Sequence, residues 1–79
     1  MSVDIAAIVR ENLAKFTSPR EAEESFLESC SALGINPAVM TEKDADRIAD
    51  HLVGKGGLFS FVGRALRATL ISEKLKYRF

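Results

Sequence analysis

The chain has 79 residues, eleven basic and eleven acidic side chains, one histidine and one cysteine. A lone Cys30 closes no intramolecular disulfide, and with the single His51 it falls short of the three or four protein ligands a zinc site needs, so no metal and no other cofactor is expected. A formal net charge of zero with 47% hydrophobic content argues against wholesale disorder and removes the simplest electrostatic case for a nucleic-acid or membrane-surface binder.

Ile5, Ile8, Val9, Leu13 and Phe16 recur at spacings of three and four, which predicts a first amphipathic helix, with Ser2 as its cap. Ser18 as cap, Pro19 at the first helical position and Glu21 completing a capping box predict the start of a second helix. Its buried stripe is Ala22, Phe26, Cys30 and Leu33, with Glu23, Glu24 and Glu28 outside, and Gly34 ends it. A link of about three residues makes these two helices an antiparallel hairpin. Asn36 and Pro37 mark a turn or one short helical turn, and Ile35, Val39 and Met40 are expected to cover an end of the core.

Thr41, with Asp44 three residues on, opens a third helix whose buried stripe is Ala45, Ile48, Ala49, Leu52 and Val53. Glycine inside a helix costs about 1 kcal/mol relative to alanine, so Gly54, Gly56 and Gly57 predict a stop and a tight turn. The fourth helix places Leu58, Val62, Ala65, Leu66, Thr69 and Leu70 on one face. Arg64, Arg67, Lys74 and Arg78 cluster within about 80° of arc on the other. Glu73 and Lys76 break this pattern, so the helix is expected to leave the core near Ser72 or to end there, with residues 73–79 as a tail.

Charge is unevenly divided: residues 1–57 hold ten acidic and six basic groups, residues 58–79 one acidic and five basic. The basic stripe is either a solvated face, one bordering the acidic face of the second helix, or a docking surface for an acidic partner or for phosphates. The order helix, glycine turn, helix invites comparison with a helix-turn-helix, but Leu58, Phe59, Phe61 and Val62 occupy the positions where base-reading side chains would stand. Gly54, Lys55, Gly56 and Gly57 before a helix suggest a phosphate cradle, yet no Ser or Thr follows the lysine and the lead-in is helical. Leu58, Phe59 and the basic run after them have the make-up of a membrane-surface helix, although burial in a bundle uses the same apolar face.

A Cys30 and His51 nucleophile pair would be the obvious enzymatic constellation, but Cys30 belongs to a core stripe and His51 falls off its own, as an exposed surface histidine. The stretch His51, Leu52, Val53, Gly54, Lys55, Gly56 resembles histidine phosphotransfer domains, four-helix bundles whose phosphorylated histidine precedes a Lys-Gly on the same helix. Here the Lys-Gly stands one residue further on. The resemblance implies His51 as phosphoacceptor and Lys55 as its electrostatic aid.

Taken together, the patterns predict an all-α, single-domain bundle of four helices over residues 1–79. Its richest apolar run, Leu58 to Val62, is too short for a membrane span, and Asp4 stands where a signal peptide carries positive charge, so a cytoplasmic location is expected. Ile8, Phe61, Ile71, Leu75 and Phe79 are apolar residues beyond what four stripes need. The expected function is a non-enzymatic protein-interaction module, an adaptor or a homodimer, with Phe61, Ile71, Leu75 and Phe79 as its interface and no small-molecule substrate. The alternative is nucleic-acid association through Arg64, Arg67, Lys74, Lys76 and Arg78.

Overall fold

The computed structural model describes residues 4–78, with side chains through Ser72. Four helices follow one another: α1 (Ile5–Phe16), α2 (Pro19–Leu33), α3 (Glu42–Lys55) and α4 (Gly57–Arg78), with a single 3-10 turn at Pro37–Val39 between α2 and α3. No strand occurs among the described residues, and none of these helices is long and apolar enough to cross a membrane.

Each boundary has a local chemical cause. Asp4, not Ser2, caps α1, its carboxylate accepting from the Ala7 amide at 3.1 Å. Thr17 closes that helix by donating its hydroxyl to the Leu13 carbonyl at 2.8 Å. Only Thr17 and Ser18 separate α1 from α2, so the two fold back as an antiparallel hairpin. Ser18 accepts from the Glu21 amide at 3.2 Å. At the other end Gly34 adopts a left-handed conformation (φ 68°), the Ile35 amide reaches back to the Cys30 carbonyl at 2.8 Å, and Ile35 and Cys30 both enter the core. That is a Schellman closure with its apolar contact. Thr41 and Asp44 form a complete reciprocal capping box at the start of α3. Gly56 (φ 75°) is the whole link to α4, a conformation that non-glycine residues rarely adopt.

Val9, Leu13, Phe26, Ile48, Leu52, Val62 and Leu66 fill the centre with no exposure to solvent. α4 packs tightly on α3 where Gly63 faces Ala49 and Val53: a Cβ at Gly63 would lie 2.6 Å from the Ala49 carbonyl oxygen. A polar link ties α1 to α4. Asn12, almost fully buried, donates to the Ile8 carbonyl at 2.9 Å and meets the Thr69 hydroxyl at 3.2 Å, whose single proton it shares with the Ala65 carbonyl at 2.9 Å.

Several expected core positions lie elsewhere. Phe16, Val39 and Leu58 are exposed, because each sits at the end of its element, where the neighbouring helix no longer reaches. Ile8, counted among the surplus apolar residues, is instead buried. Ser25 and Ser29 join Asn12 inside, on the side of α2 that its apolar residues also occupy. α4 does not stop at Ser72 but continues to Arg78.

Candidate interaction face on α4

α4 has two apolar sides. Val62, Leu66 and Leu70 face the core and are buried. Phe61, Arg64, Ala68 and Ile71 lie within about 80° of arc centred diametrically opposite. All four are exposed, Phe61 at 62% and Ile71 at 59%, and Leu58 at 49% stands on the flank. Their spacing of three, four and three is that of a helix-pairing seam. Of the residues that the sequence offers for an interface, the structure therefore brings Phe61 and Ile71 to one outward face; the side chains of Leu75 and Phe79 lie outside the described residues, as do those of Lys74, Lys76 and Arg78.

The two remaining cations differ. Arg67 is held in an ion pair with Asp50 of α3, so this member of the basic face borders α3 and not the acidic face of α2. Arg64, inside the exposed seam, makes no ion pair among the described residues. The acidic face of α2 is matched by other cations: Glu23 by Arg10 at 3.1 Å, Glu24 by Arg20 at 3.2 Å, and Glu28 by Lys55. The ammonium beside Glu28 holds that carboxyl below its ordinary range, with a smaller contribution from nearby His51. Lys55 also stands over the Phe59 ring, 5.2 Å from its centroid, which fixes the start of α4 against the end of α3.

His51 is not the exposed histidine that its helical position suggested. It is half-buried, with Nε2 inaccessible and without a hydrogen-bond partner, and Ser29 Oγ is likewise buried and unpartnered. That nitrogen is closed to a phosphoryl donor, and Lys55 is engaged by Glu28, so the roles implied by the phosphotransfer resemblance find no open geometry on this side of the ring. Cys30 is 3% exposed, and burial pushes its thiol up, away from the thiolate that nucleophilic chemistry requires. A shallow surface recess between Ile5 and Ala6 on one side and Pro37–Met40 on the other is bounded by Asp4, whose carboxylate is already occupied as the α1 cap.

Compared with known proteins, the chain matches no family model, no curated protein and no solved structure. What the face can do is read from its own residues.

Proposed function

We propose that the protein is a non-enzymatic interaction module, acting in the cytoplasm, that docks on another protein through the outer side of α4. The observation that carries this reading is the pair of large apolar side chains, Phe61 at 62% and Ile71 at 59% exposure, aligned on one side of a helix whose opposite side already supplies the core. Single exposed apolar residues are ordinary, as Leu27 on α2 illustrates; an aligned set on one long helix is the pattern of a face that pairs. A partner helix covering Phe61 and Ile71, which are 62% and 59% exposed, would gain roughly 1–2 kcal/mol from each, about three fifths of the value for a fully exposed side chain.

Phosphate binding draws on fewer groups than the sequence suggests, since Arg67 is engaged by Asp50. Two measurements test the reading. A benzoylphenylalanine photo-crosslinker in place of Phe61 should capture one discrete protein species in the source cell, while the same probe in place of Leu27 should not. Equal capture from both positions, or none from either, refutes it. Titration with duplex DNA at low and high salt should show little affinity; tight binding that weakens steeply with salt and is lost in Arg64→Ala would favour the nucleic-acid alternative.

A further inference from the structure

We propose that α4 is an exchangeable element: the Gly56 link straightens, α3 and α4 become one helix, and two copies of the chain swap α4. Of the three junctions between the helices, this one alone is built to straighten. Between α1 and α2, Pro19 follows the extended Ser18 at the first helical position, has no amide to donate and keeps the residue before it out of the helical region. Between α2 and α3, Pro37 does the same after the extended Asn36, and the Thr41 and Asp44 box fixes the start of α3 from its own side. The α3–α4 junction holds glycine and no proline, and no described side chain accepts from the first amides of α4.

A straight link supplies what the bend leaves out. The amides of residues 57–60 gain the carbonyls of residues 53–56 as partners, whereas in the bent link the Gly56 amide alone reaches back, to the Val53 carbonyl at 3.2 Å. Against this stand Gly56 and Gly57, at φ 75° and 57°: they take the bend without a Cβ penalty, and each weakens a continuous helix. The two glycines therefore set the balance between bent and straight. Lys55 over the Phe59 ring does not oppose the change, since residues four apart also meet on a straight helix. An α4 that swings away cannot stay free, because Val62, Leu66 and Leu70 belong to the core. What fits the vacated slot is the same helix from a second copy. It restores the approach of Gly63 to Ala49, the ion pair of Arg67 with Asp50 and the contact of Thr69 with Asn12, now between chains. The exchanged dimer and two monomers then share one core and differ chiefly at the link. Exchange uses the inner side of α4 and makes no demand on the outer face of Phe61 and Ile71.

The test starts from the wild-type chain. Refolded from urea at millimolar concentration and separated in the cold by size exclusion, it should give a helical dimer beside the monomer. In a dimer prepared from mixed isotope-labelled and unlabelled chains, isotope-filtered NOEs between Asn12 and Thr69 should cross from one chain to the other. Gly56→Ala strains the bend without a steric clash, since open space surrounds the added methyl, and it favours the straight link, so the dimer should tighten by about tenfold or more. Gly34→Ala introduces the same strain, at φ 68° and in open space, but at a junction that Pro37 bars from straightening; it should lose stability and stay monomeric. A Ser-Gly-Ser insertion after Gly56 relaxes the bend and should abolish the dimer. Four outcomes overturn the proposal: refolded wild type that is monomeric at every concentration, whatever Gly56→Ala does; a dimer whose contact of Asn12 with Thr69 stays within one chain; a dimer that Phe61→Ser dissolves, which makes the outer face the interface; and dimerisation of Gly34→Ala as readily as Gly56→Ala, which makes loss of stability alone the cause.

Discussion

Gly63 offers the sharpest test of how α3 and α4 meet. In Gly63→Ala the new Cβ would stand 2.6 Å from the Ala49 carbonyl oxygen and 2.7 Å from Val53 Cγ2. The valine methyl can turn aside, but the carbonyl belongs to the α3 backbone, so the helices must part by several tenths of an ångström. Overpacking of this kind costs roughly 1–3 kcal/mol, and the better helix propensity of alanine returns only about 1. A clash with backbone belongs at the upper end of that range, which leaves a net loss of about 1–2 kcal/mol. For a domain of this size the loss corresponds to a fall in Tm of roughly 5–15 °C. Gly54→Ala is the matched control. It also replaces a glycine inside a helix, but open space surrounds the added methyl, so propensity alone acts and stability should rise by about 0.5–1 kcal/mol. Thermal and urea unfolding followed by far-UV circular dichroism measure both. If Gly63→Ala were as stable as Gly54→Ala, the close contact of α4 with the Ala49 carbonyl would be wrong.

Three further expectations concern individual groups. Thr69→Val should destabilise the fold by roughly 0.5–1 kcal/mol in urea unfolding, because the hydroxyl proton shared between the Ala65 carbonyl and the buried Asn12 Oδ1 is lost; an unchanged midpoint would mean that this proton serves the Ala65 carbonyl alone. Glu28 has its folded-state pKa held below the ordinary 4.5 by Lys55, so the stability it contributes is present above that value and disappears as the pH falls through the folded-state pKa. Glu28→Gln should therefore be slightly less stable than the wild type near neutrality and converge with it in acid, whereas a difference independent of pH would count against the pair. Cys30, buried and with its thiol pushed up, should react with a disulfide-exchange reagent only as fast as the protein opens, and urea should accelerate labelling in step with the loss of helicity. Complete labelling of the folded protein within mixing would contradict its place in the core.

Element boundaries were legible because they are written in short-range chemistry. Ser18 with Pro19, Thr41 with Asp44 and Gly34 each act within three or four residues, and the structure uses all of them. Periodicity located the stripes but not where a neighbouring helix ends, which is why Phe16, Val39 and Leu58 were assigned to the core and lie exposed. Asn12 falls on the same arc of α1 as Ile8, Val9 and Leu13, but an apolar stripe does not say what would satisfy an amide there; its partners are Ile8 and Thr69, and Thr69 lies 57 residues away along the chain. Gly63 carried a readable signal that the stripes passed over. A glycine inside a helix costs about 1 kcal/mol, and a position that bears that cost has a packing reason, here the α3 backbone.

The outer face was half legible for the same reason. Phe61 and Ile71 follow from helical spacing alone, since surplus apolar residues opposite a complete core stripe have nowhere else to go. The fate of the cations does not follow from spacing. Arg67 and Arg64 stand three residues apart with similar sequence surroundings, and only the packing of α3 against α4 engages one with Asp50 while leaving the other outside every ion pair among the described residues. That division bears directly on recognition. A cation already paired contributes little to steering a partner, whereas a solvated guanidinium between two exposed apolar side chains would, on the docking role proposed for this face, act on what approaches before the apolar contact holds it. Apolar area on α4 would thus set how long a partner stays, and Arg64 which partner arrives, so substitutions at Phe61 and Ile71 should act mainly on dissociation and those at Arg64 mainly on association and its salt dependence.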